Sequence, residues 1–335
     1  MTLHAVDDLT DAVEATRRFL VPPTLGRWLR LAVVAFFVGG FGFGVPAGGG
    51  TPPTGGTGDA PTGPGEGVGA IPNEVFLLAG LIVVAALVLW LLFAVVSAIM
   101  EFVFVESLRA ESVSIREYAR RYWRQGVRLF VFRTAVLLAG LLAILGVGAL
   151  LATVVVGGPV TDWSGGDALV LILFLLPVGL LVFAVTGLVN GFTGAFVVPV
   201  MVAEGETVLG GWRRFWPTLR GQPRQYGAYV LVALVLAIAT GFIAATATGI
   251  GAVVLAIPFV TVGALVVVAA GASFSTPVVV VLAILVLVYV LLVLTLVALV
   301  QVPLQTFLRY YSLLVLGDTN ADFDVIPDAR AAVRA

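Results

Sequence analysis

The chain contains no cysteine and no lysine, a single histidine and, over 335 residues, only 11% charged side chains. Without cysteine there is no disulfide, no thiolate nucleophile and no cysteine-held metal. Without lysine there is no Schiff base, no catalytic amine and no phosphate-loop lysine. All 18 basic residues are therefore arginine. His4 stands alone in a polar N-terminal segment and is read as solvated, because no metal set can be assembled around it. Residues 1–16 carry four acids and no arginine, so no secretory leader is expected there. No cofactor is expected.

What remains is apolar. Hydrophobic residues make up 60% of the chain, the net charge is −1 and the mean hydropathy is +1.13, which places it among all-α integral membrane proteins. Apolar runs fit for a hydrocarbon core of ~30 Å occupy 28–45, 74–105, 127–157, 168–202, 226–248 and 277–302. These predict six spans. Residues 249–271, centred on Pro258, are expected as a re-entrant segment, with a seventh span as the alternative. Residues 46–73 are nearly all Gly, Pro, Thr and Ala and are predicted to be a flexible extracytoplasmic loop.

The few charges recur in a pattern. Asp8, Glu111 and Glu204 are each followed nine residues later by two arginines and an aromatic: Arg17-Arg18-Phe19, Arg120-Arg121-Tyr122 and Arg213-Arg214-Phe215. Trp123 and Trp216 extend two of the three copies. In the first copy, Val6, Leu9, Val13 and Leu20 line one helical face until Pro22-Pro23 ends it. In the second, Ile115, Tyr118, Ala119 and Tyr122 lie opposite Arg116, Arg120 and Arg124. The chain reads as one membrane domain, 1–335, of three pseudo-repeats (1–105, 106–203, 204–316), each an amphipathic interfacial helix followed by a transmembrane hairpin. An acidic tail, 317–335, is expected to be mobile.

Loops 46–73, 158–167 and 272–276 contain no arginine, so the arginine-bearing segments are assigned to the cytoplasm. Both termini are then cytoplasmic and the protein is multi-pass in the cell membrane. Two candidate sites follow. Arg17, Arg18, Arg120, Arg121, Trp123, Arg213, Arg214 and Trp216 are expected to form a collar for anionic headgroups of the inner leaflet. Glu101 closes one span and Arg133 opens the next at the same membrane face, which predicts an intramembrane ion pair. Gly187 and Gly191, flanking Asn190, suggest a close helix crossing. Nucleic acid is not expected as a partner; protein partners and oligomeric state are not legible.

The strings HAVDDLTDAVEATRRFL at 4–20, EFVFVESLR at 101–109, WRRFWPTL at 212–219 and FLRYYSLLVLGDTNADFDVIP at 307–327 resemble a family of uncharacterised haloarchaeal multi-pass membrane proteins. The resemblance implies a high-salt cytoplasm and no particular activity. More remotely, the helix plan is similar to the membrane domain of some glycerophosphodiester phosphodiesterases, whose catalytic barrel has no counterpart here. Two functions are open at this point. One is a non-enzymatic scaffold or lipid-interacting factor. The other is a transporter or channel-like permease using Glu101, Arg133, Asn190 and Gln301. An enzyme is not expected, since no nucleophile–base pair is visible.

Overall fold

The computed structural model describes residues 4–40, 73–157, 163–271 and 273–334. The expected loop 46–73, apart from Asn73, lies outside these residues. The described elements are helical. In chain order they are α1 (His4–Leu20), α2 (Leu25–Gly40), α3 (Asn73–Arg109), α4 (Ile115–Leu151), α5 (Gly165–Phe192), α6 (Val198–Glu204), α7 (Val208–Gly221), α8 (Pro223–Ala269), α9 (Thr276–Thr319) and α10 (Pro327–Arg334). Five stretches are long and apolar enough to cross a membrane: Leu77–Arg109, Ile115–Val154, Gly165–Glu204, Pro223–Ala269 and Thr276–Thr319. The first expected span is described only as far as Gly40, within α2. Five long apolar helices make this a multi-pass membrane protein.

Residues 249–269 are neither a re-entrant segment nor a span of their own. They continue α8, a single helix of 47 residues with Pro258 inside it, about 70 Å long at 1.5 Å per residue. In an apolar setting every backbone group needs an internal partner, so a Leu-, Val- and Ala-rich run propagates as helix through its glycines. Tyr289 of α9 supports this stretch by donating its hydroxyl to the Ala252 carbonyl at 3.2 Å.

The stretches expected to be three copies of one unit differ in structure. In the first, α1 is separate from α2; in the third, α7 is separated from α8 by Gln222 alone. In the second, the basic amphipathic stretch and the apolar stretch form one helix, α4. Helix pairs α2–α3, α4–α5 and α8–α9 are each in contact, and α2–α9 and α3–α4 contacts link them in the order α8, α9, α2, α3, α4, α5.

Burial is concentrated toward one end of the long helices, not along their whole length. Phe102, Phe104, Phe196, Phe215, Tyr226, Tyr310 and Tyr311 are each under 2% exposed and belong to one core. Away from that end the helices display Leu, Val and Ile, from Leu77 to Leu92, Leu137 to Leu150, Leu231 to Val268 and Val279 to Leu294. Each such side chain in water would forfeit about 1.5–3 kcal/mol, and a net stability of about 5–15 kcal/mol could not absorb many. Those lengths belong in lipid.

The acidic tail is ordered against this core. Arg330 of α10 reaches Asp318 and Asp324, both at 3.2 Å, and Arg334 reaches Asp8, Asp11 and Asp318 at 2.7–2.8 Å. The tail, expected to be mobile, is held because its two arginines fold back over the aspartates. Phe323, Val325 and Ile326 are buried in the same movement of the chain.

Candidate functional site

Glu101 of α3 is 5% exposed and lies between two buried arginines. Arg133 of α4 approaches at 2.7 Å, and Arg309 of α9 approaches the other carboxylate oxygen at 3.2 Å. The structure thus brings the expected residues Glu101 and Arg133 together and adds a third, Arg309, that no sequence motif singled out. Arg309 also donates through Nη1 to the carbonyl of Gly194.

That carbonyl is free for a local reason. Residues Thr193–Val197 form a π-helical turn between α5 and α6, in which the N–H of Val198 bonds to Thr193 rather than to Gly194. The next nitrogen belongs to Pro199, which has no N–H. Gly194 O is therefore left without a helical donor, and Arg309 supplies one. Glycine is needed at 194 because a Cβ there would stand 2.5 Å from Glu101 Oε1 and 3.3 Å from Arg133 Nη2. Four helical segments meet at one carboxylate. The close crossing expected at Gly191 is absent, since nothing lies within 4 Å of a Cβ built there. Gly126 holds such a crossing instead, with Ile99 Cα of α3 at 2.8 Å from a built Cβ.

Further polar groups line the same region. Gln305 donates to Gln301 at 3.1 Å, and Trp212 of α7 donates to Thr193 Oγ1 at 3.0 Å. Asn190 is 6% exposed, and its Oδ1 accepts no hydrogen bond among the described residues.

The three arginine pairs of the expected collar share a division of labour. Phe19, Tyr122 and Phe215, the aromatics that follow them, are buried in the common core. Phe19 meets Tyr310 edge-on at 5.9 Å, Tyr122 stacks on Phe102 at 5.9 Å and Phe215 stacks on Phe196 at 5.2 Å. The arginines themselves are exposed. The second of each pair has an acid: Arg18 with Glu14 at 3.3 Å, Arg121 with Glu106 at 3.5 Å, Arg214 with Glu204 at 3.1 Å. The first of each pair, Arg17, Arg120 and Arg213, has no such partner among the described residues. Trp123 and Trp216 are 51% and 44% exposed, with the Arg124 and Arg220 guanidiniums 5.5 and 4.9 Å from their rings. Tryptophan prefers the headgroup layer, and a guanidinium over its face strengthens that placement.

Beside Arg120 the start of α4 forms one wall of a cleft of about 840 Å³, lined by Arg30 of α2 together with Ser114, Ile115, Arg116, Glu117, Arg120 and Arg121. A smaller cleft of about 320 Å³ adjoins it at Arg30 and includes Arg27 and Glu111. At the far side of the core, burial first and the neighbouring Asp318 second push the Asp8 carboxyl up to about 7. The hydrogen bond to Asp318 raises Arg334 above its ordinary value.

Residues 3–326 match the family described as "Family of unknown function (DUF7544)". The chain belongs to that family. The match takes in the ion cluster, all three arginine pairs and the cleft, so these sit within the family's own domain and not on an appended piece. No curated protein and no solved structure matches the chain.

Proposed function

We propose that this protein is a non-enzymatic integral membrane protein, a scaffold or lipid-interacting factor whose arginine-bearing end engages anionic headgroups of the inner leaflet. The observation that carries the reading is the triplet Arg17, Arg120 and Arg213: one guanidinium per copy, exposed and unpaired among the described residues, anchored by a buried aromatic two residues on. A guanidinium presents a planar fork of donors that fits phosphate, and each such group near an anionic surface contributes about 1 kcal/mol. By the positive-inside argument this end, with both termini, faces the cytoplasm. The resemblance to haloarchaeal proteins would put it in concentrated salt, where a Debye length of about 3 Å at 1 M leaves only direct arginine–phosphate contacts.

Native mass spectrometry from anionic nanodiscs tests this reading. Arg17→Gln/Arg213→Gln is expected to retain fewer anionic lipids per chain than wild type. Equal retention would reduce the collar to an orientation signal.

A permease is the second reading, favoured by the buried Glu101, Arg133 and Arg309 with Asn190, Gln301 and Gln305 nearby. Both Glu101 oxygens are already engaged by arginine, which suits a structural lock better than a site that must exchange ligands. Solute flux through proteoliposomes that disappears in Asn190→Leu would turn the argument the other way.

A further inference from the structure

We infer that the cleft between α2 and the start of α4 is a dedicated site for one phosphate group, most simply that of an anionic lipid headgroup. This rests on the headgroup-binding reading and gives it a location and a stoichiometry.

Four arginines, Arg30, Arg116, Arg120 and Arg121, line the cleft with a single acid, Glu117. Two of them are committed elsewhere: Arg30 donates to the Val113 carbonyl at 3.3 Å, and Arg121 lies 3.5 Å from Glu106. Those contacts fix the walls. Arg116 and Arg120 have no partner among the described residues and stay exposed. Two such groups one helical turn apart on α4, with Arg30 of α2 across the cleft, make a concave cationic surface.

The backbone adds donors of its own. The first intrahelical bond of α4 runs from the Tyr118 N–H to the Ser114 carbonyl, so the N–H groups of residues 115–117 have no helical acceptor. Ser114 occupies the N-cap position but makes no side-chain cap bond. Uncapped N–H groups at the positive end of a 37-residue helix are suited to an oxyanion, and residues 114–117, which carry them, line the same cleft as Arg116 and Arg120. The geometry differs at α7, where Thr207 accepts from the Gly210 N–H and closes the helix start. Carboxylates would also find cations here. A tetrahedral phosphate, with oxygens in several directions, can engage the two helix faces and the amide ends together.

The full chain in neutral, lipid-free detergent is the material for the test. Inorganic phosphate and a short-chain phosphatidylglycerol are titrated separately and followed by native mass spectrometry. Wild type is compared with Arg30→Gln/Arg116→Gln, with Arg116→Glu, and with the collar variant Arg17→Gln/Arg213→Gln. Arg116 is exposed and unpaired, so Arg116→Glu keeps the test valid if loss of the Arg30 contact to Val113 disturbs the turn. Wild type and the collar variant are expected to share one saturable phosphate-bearing molecule per chain, which both cleft variants bind roughly tenfold or more weakly. Binding of the lipid but not of inorganic phosphate identifies the source as a headgroup; binding of both identifies a phosphate site indifferent to source. If wild type binds neither probe, or Arg116→Glu binds as wild type does, the site does not exist. Because the collar variant leaves the cleft intact, loss of the collar's lipid retention and loss of the cleft's ligand are separate results.

Discussion

Arg309 donates to Glu101 across 208 residues of sequence at 3.2 Å, and it does so from the side opposite Arg133. One carboxylate thus holds α3, α4 and α9 together where none of the three groups reaches water. Removing one partner of a buried pair costs about 3–5 kcal/mol, because the remaining charge is left uncompensated. Glu101→Gln strands two cations and is expected to be the most destabilising of the three single changes. Arg133→Leu and Arg309→Leu each leave Glu101 one partner and are expected to cost less. In equilibrium unfolding from mixed micelles, Glu101→Leu/Arg133→Leu should lose less stability than the sum of its single changes. Strict additivity would mean that the pair contributes nothing.

Gly194 gives a steric version of the same claim. A methyl group there would press on Glu101 Oε1 at 2.5 Å inside a filled site, whereas one at Gly191 meets nothing within 4 Å. Gly194→Ala is expected to lower stability by about 1–3 kcal/mol, the usual range for overpacking. Gly191→Ala should be neutral or slightly stabilising through the helix propensity of alanine. Equal melting temperatures for the two variants would remove Gly194 from the account of the cluster.

Much of this was legible from residue order, and the gaps have identifiable causes. Apolar runs predicted the long helices because helix is the form that satisfies a backbone in lipid. Glu101 and Arg133 were legible because they flank one turn at one membrane face. Arg309 was not, since FLRYY at 307–311 reads as the end of a span and its partner is remote. Its place between Leu299 and Leu316, in a run that α9 carries through Pro303, was the available signal. The π-helical turn at Thr193–Val197 has a trace in Pro199, but its consequence at Gly194 depends on where α9 lies. The tail was misread because four aspartates in a row of polar residues suggest solvation, and α1 supplies no hint that Arg334 would reach Asp8 and Asp11. The stretch 249–269 departs from expectation because repeat parity and charge favour a re-entrant segment, while Pro258 is too weak a signal to end the helix.

Orientation can be measured directly, because the chain has no native cysteine to compete for label. Single cysteines at Ser114, Thr207 and Asp322 are expected to react with a membrane-impermeant maleimide only after permeabilisation. A cysteine at Ser164, in the turn that leads into α5, is expected to react in intact cells, as is one at Thr57, which lies outside the described residues. Labelling of the Asp322 position from outside would place the C-terminus there and overturn the six-span reading.

The last expectation concerns acid. Asp8 of α1 faces Asp318 of α9, Arg334 of α10 and, along its own helix, Asp11. It is 1% exposed, and its carboxyl is pushed up to about 7, first by burial and then by Asp318. Released from α10 and the core, it would titrate near the ordinary 3.8. Between those two values the docked state binds more protons than the released one. The protonation contribution to docking is therefore complete below pH about 4, is lost as pH rises through about 7, and is flat above that. Hydrogen exchange of the α10 amides, corrected for intrinsic rates, should show stronger protection at pH 6 than at pH 8. Asp8→Asn keeps a neutral, hydrogen-bonding side chain beside Arg334 and should hold its protection at pH 8. Wild-type protection that is unchanged across that interval would mean that Asp8 is ionised when docked, with Arg334 compensating it in full.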